Sequence, residues 1–259
     1  MNFLVEGLQG SGKSTLVHKL SNVYKDYGVI QEGEYSPIEL AWCAYLTEHE
    51  YQRVLEKYPS IIDDIQEKTY REYDHIILCY TKIRTSLFEF YRDLGQYEIY
   101  NNRVSFDTFK HIVLQRFKAW DTKNMIFECS IFQNIIEDLI LFRCLSDDEI
   151  ISFYKELKEV LADKNYHIFY LKSNDIKGNL NAVRKERTDD KGNEVWFPLM
   201  LGYFNDSPYA KKNKLSGEKA LINHFTHRQE LELRILNEIF LDKSTILNSK
   251  DYQMEMLYL

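Results

Sequence analysis

Eight residues near the start of the chain, Gly7-Leu8-Gln9-Gly10-Ser11-Gly12-Lys13-Ser14, constrain the fold more than any other feature. They fit the pattern G-x-x-x-x-G-K-[ST]. That pattern needs a strand before it and a helix after it. Phe3-Leu4-Val5 is a short apolar run that reads as a buried strand. From Thr15 onward, Leu16, Val17, Leu20, Val23 and Tyr24 recur on one helical face.

The spacing carries its own chemistry. Glycines at 7, 10 and 12 let the backbone turn sharply and approach a polyphosphate without Cβ clashes. Successive N–H groups, from Gly7 through Leu8, Gln9, Gly10, Ser11 and Gly12 to Thr15, then line an anion nest at a helix N-terminus. Lys13 supplies a mobile positive charge for the β- and γ-phosphates, and the Ser14 hydroxyl is placed to ligate Mg²⁺.

The 259 residues carry a net charge of −7, which argues against general nucleic-acid binding. The four cysteines, Cys43, Cys79, Cys129 and Cys144, form no C-x-x-C pair and suggest neither a disulfide framework nor a zinc site. No apolar run approaches membrane-spanning length, and the first strand begins at residue 2, so a cytoplasmic protein with no membrane partner is expected.

Along the chain, strands are expected at about 2–6, 29–31, 125–127, 166–171 and 244–248. Helices are expected at about 14–26, 38–57, after a Ser60 cap, along Phe106–Trp120, after a Ser130 cap, after Ser146 and over 216–241. Ser146-Asp147-Asp148-Glu149 has capping-box spacing. His75–Tyr80 fits a strand or a buried helix equally well, and 88–104 reads as irregular. Strands alternating with helices imply an α/β fold, a mostly parallel sheet with helices on both faces.

Beyond the loop, Glu32 and Glu34 follow the second strand, where a carboxylate can accept the proton of an attacking hydroxyl. Either satisfies the position. Glu128 ends the third strand, where an acid helps to hold Mg²⁺. Arg184, Lys185 and Arg187, within a mobile basic segment at 184–191 that follows the fourth strand and a short helix, are placed to close over phosphates. Tyrosine-rich residues 80–109, with Arg84, Arg92 and Arg103, offer aromatic walls and polar anchors for an acceptor. His224 and His227, three residues apart on one helix, read as surface residues rather than metal ligands.

Taken in order, these residues resemble the P-loop nucleoside and nucleotide kinases, in particular the deoxynucleoside and thymidylate kinases. Val5-Glu6-Gly7 is similar to the family's E-G before its loop, Glu32-Gly33 to its E-P, and Glu128-Cys129-Ser130 to its E-R-S. Arg184 and Arg187 fall at its arginine-bearing lid, about 184–195, and Asn248-Ser249-Lys250-Asp251 where it contacts adenine. The resemblance implies one domain over 1–259, with a five-stranded parallel sheet and the acceptor region at about 35–123. It implies an Mg-ATP-dependent phosphotransferase acting on a nucleoside or nucleotide, and it admits a homodimer. A kinase for another metabolite or an antibiotic, or a non-transferring ATP-binding switch or ATPase, is the alternative. Cys129 stands where relatives have an arginine, which leaves a lid arginine or Arg143 to compensate, and Gly33 stands in place of proline.

Overall fold

A computed structural model describes residues 1–258. The chain divides into two compact units. One comprises Met1–Val29 together with the chain from Asp121 onward; the other is Ile30–Trp120.

The first unit is built on β1 (Asn2–Gly7), α1 (Lys13–Val23) and β2 (Gly28–Ile30), with its remaining elements supplied after residue 121. The second unit carries β3 (Ala44–Thr47), α2 (Glu48–Lys57), α3 (Ile62–Glu67), β4 (Thr69–Glu72), β5 (His75–Leu78), α4 (Phe88–Leu94) and α5 (Phe106–Ala119). The first unit then resumes with β6 (Met125–Glu128), α6 (Gln133–Glu137), α7 (Asp147–Val160), β7 (Tyr166–Lys172) and α8 (Ile176–Glu186). It ends with α9 (Trp196–Asp206), α10 (Pro208–Lys212), α11 (Gly217–Ile239) and β8 (Ser244–Asn248).

The sheet of the first unit has the order β2-β6-β1-β7-β8, and the β1–β6, β1–β7 and β7–β8 pairings are parallel. This is the mostly parallel five-stranded α/β architecture expected from the sequence. Strand β1 is central, and all of its residues are buried. Alternation along the strands assigns a layer to each face. Phe3, Val5, Phe169 and Leu171 pack with Leu16, Val17 and Leu20 of α1. Tyr170 points the other way, where its hydroxyl donates to Glu232 of α11 at 2.6 Å and its ring meets Phe132. Val5 is registered with Glu128 and Gly7 with Leu171, so β1, β6 and β7 end together where the glycine-rich loop begins.

The second unit has an antiparallel sheet, β3-β5-β4, with Ala44 paired to Leu78 and Thr69 also to Leu78. Its core joins Leu46, Ile65, Ile76, Leu78, Phe90 and Leu94.

Several sequence expectations change here. Residues 38–57 are not one helix. Ala44–Thr47 pairs with β5, and Thr47 caps α2 through a reciprocal box with Glu50. The segment 75–78 is a strand because two neighbours supply its hydrogen bonds. Within 88–104, Phe88–Leu94 is a helix with Phe90 and Leu94 buried. Ser60 caps nothing, since a 3-10 turn over Pro59–Ile61 leads into α3. Arg184 and Lys185 lie inside α8 rather than after it. The box at Ser146 and Glu149 forms as expected. Among the described residues no helix is long and apolar enough to cross a membrane.

Candidate active site

The glycines of the loop are required for two different reasons. A Cβ on Gly7 would lie 2.7 Å from the Leu171 carbonyl oxygen, and one on Gly10 would lie 2.6 Å from the Asn179 oxygen and 2.8 Å from Val183. Those two positions need close approach to β7 and α8. Gly12 has open space around it but a φ of 95°, a left-handed conformation costly to other residues. Gly12 is also the N-cap of α1, so no side chain caps that helix, and no acid occupies its first turn. The first-turn amides therefore have no side-chain cap, and the helix dipole favours an anion at that end.

Lys13 is buried, and its Nζ donates to the Gly7 and Leu8 carbonyl oxygens at 3.0 and 2.9 Å. Its ammonium therefore lies over the loop it is expected to serve. Ser14 Oγ donates to Glu128 Oε1 at 2.7 Å. A hydroxyl and a carboxylate side by side are the hard oxygen donors that Mg²⁺ prefers, so these two residues fit the ion. Among the described residues no group of three or more His, Cys, Asp or Glu is placed to hold a metal.

Glu6, notable in the sequence only for its similarity to a family motif, organises the same corner. It is fully buried, and its Oε1 accepts the Ser130 and Ile131 amides at 2.6 and 2.7 Å. This holds the chain just past Glu128, where Cys129 takes a φ of 59°. Ser130 consequently does not cap a helix; α6 starts at Gln133. Burial raises the Glu6 carboxyl to about 7, with the Ile131 amide pulling back and Glu232 adding to the rise.

After β8, the Ser249 hydroxyl donates to the Ser11 carbonyl at 2.7 Å and Lys250 donates to Asn179 at 2.7 Å. The segment 248–251 thus rests on the loop and on α8.

The arginines of the expected lid are otherwise engaged. Arg184 donates to Glu194 at 3.0 Å and Glu218 at 3.2 Å, and its guanidinium lies 4.0 Å from the centre of the Phe197 ring. A bridge between Thr188 and Glu194 closes the following turn, where Asp189 accepts from Lys191 and Asn193. Arg187 is exposed and lies 5.6 Å from the Trp196 ring centre. Arg143 donates to Asp138 at 2.5 Å with both side chains almost wholly buried, so it is committed to the interior and not to the loop. His224 is likewise buried rather than on the surface, at 2.6 Å from Glu137. His227 is half-exposed and lies 2.9 Å from Asp147.

Glu32 and Glu34 belong to the second unit. Glu32 Oε1 accepts the Trp42 indole N–H at 3.0 Å, and its backbone oxygen accepts from Lys82 at 3.0 Å. Glu34 Oε2 accepts the Gln31 amide at 2.8 Å, closing its own turn. Nearby, Glu39 is buried and accepts from Tyr100 and, at 2.7 Å, from the Ala41 amide. Burial raises its carboxyl to about 8 against those two bonds, with Glu32 adding to the rise. Arg116, also buried, donates to Glu72 and to the Ser36 carbonyl. No sequence motif marks Glu39, Trp42, Lys82 or Arg116; only their convergence in space does.

Comparison with protein-family models finds no match. Comparison with curated proteins also finds none. Among solved structures, the chain is similar to that of deoxyadenosine kinase from M. mycoides with bound dATP. The identity is 14% and the TM-score 0.40, over 99% of this chain and 95% of that one. At that distance the functional case rests on the residues themselves.

Proposed function

We propose that the chain is a cytoplasmic, Mg-ATP-dependent kinase for a small hydroxylated acceptor, a nucleoside or nucleotide first among them. One observation carries the reading. On a loop shaped by three indispensable glycines, Lys13 lies over the main chain while Ser14 and Glu128 set two hard oxygens 2.7 Å apart. The loop amides and Lys13 bind the phosphates. Ser14 and Glu128 hold Mg²⁺, which when bound offsets charge on the transferring group.

Glu32 is the proposed base. Its carboxylate is oriented by an indole, whereas Glu34 serves its own turn. Arg187 is the proposed partner for phosphoryl charge, and Arg184 joins it by exchanging Glu194 and Glu218 for phosphate oxygens. Phosphoryl transfer asks chiefly for positioning and charge neutralisation, which this set supplies.

Calorimetry with Mg-ATP tests binding, and transfer of γ-label to pooled nucleosides, nucleotides and sugars tests the reaction. Acceptor-dependent labelling supports the kinase. Hydrolysis indifferent to every acceptor favours the ATPase or switch. Lys13→Ala is expected to abolish uptake and transfer together; undiminished transfer by that variant rules out the loop as the site.

A further inference from the structure

We infer that Cys43 and Cys79 form a redox-active thiol pair, a site of reversible oxidation to an intrachain disulfide. The register of the second sheet puts them together. Ala44 pairs with Leu78 at the end of the β3–β5 ladder, and Cys43 and Cys79 are the residues next to that pair on each side. A disulfide needs Cα atoms about 4.4–6.8 Å apart, a spacing that residues next to a paired position of antiparallel strands are placed to reach. The sulfurs are already 3.5 Å apart, with the Cys43 thiol donating to Cys79. Both cysteines are buried, but Trp42 and Thr81, flanking the pair, are exposed, so it lies just beneath the surface.

The donated bond, working against burial and helped by Lys82 and Lys68, holds the Cys79 thiol below its ordinary value and raises that of Cys43. Cys79 is therefore the attacking sulfur. With a peroxide as oxidant, the Cys79 thiolate displaces hydroxide from the O–O bond, and the hydroxide leaves as water once protonated. The resulting sulfenic acid is attacked by Cys43 sulfur, a second water leaves, and the S–S bond forms. Peroxide is reduced to two waters and two thiols are oxidised to one disulfide; a dithiol reverses the bond by exchange.

The position gives the bond a consequence. Trp42, adjacent to Cys43, has a φ of 64°, binds Glu32 through its indole, and accepts from Thr81 through its carbonyl at 3.2 Å. Lys82, three residues beyond Cys79, holds the Glu32 backbone. Drawing the sulfurs together moves both supports of Glu32, while the phosphate loop belongs to the other unit. Resting on the function proposed above, oxidation lowers acceptor turnover and leaves Mg-ATP affinity unchanged.

The test treats the reduced full-length chain with hydrogen peroxide, blocks remaining thiols with N-ethylmaleimide, and maps peptides by mass spectrometry. The expected result is loss of two thiols per chain and a Cys43–Cys79 cross-linked peptide that dithiothreitol releases. Cys43→Ala is expected to drive Cys79 onward to sulfinic acid. If that variant does not fold, retention of phenylarsine oxide by the native dithiol takes its place. Cross-links to Cys129 or Cys144, bonds between chains, or Cys79 over-oxidised beside an alkylated Cys43 would overturn the inference. Mass spectrometry reads the bond whether or not label is transferred, so failure of the proposed reaction and failure of the bond are separate results.

Discussion

Glu32 and Glu34 are two residues apart, yet their carboxylates have different tasks. Glu34 closes its own turn on the Gln31 amide, and Glu32 meets the Trp42 indole. A general base contributes about 10²–10⁴-fold. Glu32→Gln is therefore expected to lower kcat by roughly that factor with Mg-ATP affinity preserved, and Glu34→Gln to change kcat far less. Steady-state kinetics on the two variants decides; a larger loss from Glu34→Gln reverses the assignment. Both acids lie just past the second strand, so the sequence draws attention to each. Which one is oriented depends on Trp42 and Lys82, distant in the chain, and no local spacing reports that.

At the scale of elements, the loop is confined between neighbours. Gly7 is pressed on β7 and Gly10 on α8, so the strand–loop–helix unit is shaped by Leu171 and Asn179, residues far along the chain from it. Gly10→Ala forces a Cβ onto the Asn179 carbonyl and Val183, in a residue with a φ of 73°. Backbone strain and overpacking of this kind cost about 1–3 kcal/mol each. The expected outcome is a lower thermal midpoint together with weaker Mg-ATP binding, measured by scanning calorimetry and titration. An unshifted midpoint would show that α8 yields freely. The capping boxes of α2 and α7 are local and readable, although the one at Thr47 falls inside the longer helix that periodicity alone predicts. The pairing of β3 with β5 was not legible, because short apolar runs do not reveal their partners.

For the molecule as a whole, buried acids set the response to pH. In the folded chain Glu6 and Glu39 hold their protons up to about 7 and about 8, against an ordinary value of 4.5. Folded pKa values raised in this way add stability that is fully present below 4.5 and lost as pH rises through 7 and 8. Glu137 has the opposite sign. Burial alone would raise it, but the charges and hydrogen bonds of His224 and Arg228 bring it to about 2. Its contribution is present above 4.5 and disappears as pH falls through 2. Arg228, fully buried, joins Glu137 at 2.6 Å to Glu232 at 2.8 Å, tying α11 to α6. The thermal midpoint is thus expected to rise as pH is lowered from 8 towards 5. The double variant Glu6→Gln, Glu39→Gln should flatten that slope. Calorimetry across this range checks both, and an unchanged slope in the double variant would remove these two carboxyls as its cause.

The existence of the first strand, the glycine-rich loop and its helix, and the box at Ser146, was legible in the sequence alone, because the pattern of each is carried by residues close together in the chain, although the packing that fixes the loop's shape is not. The mostly parallel character of the large sheet followed from alternating strands and helices, while its strand order did not. Only the tertiary structure decided that Glu6 holds the turn after Glu128, that Arg184 lies between two carboxylates and a ring, that Arg143 faces inward, and that Cys43 meets Cys79. Each of these rests on partners brought together by burial and strand register. A chain written in one dimension carries no local mark of contacts that form only when apolar faces close.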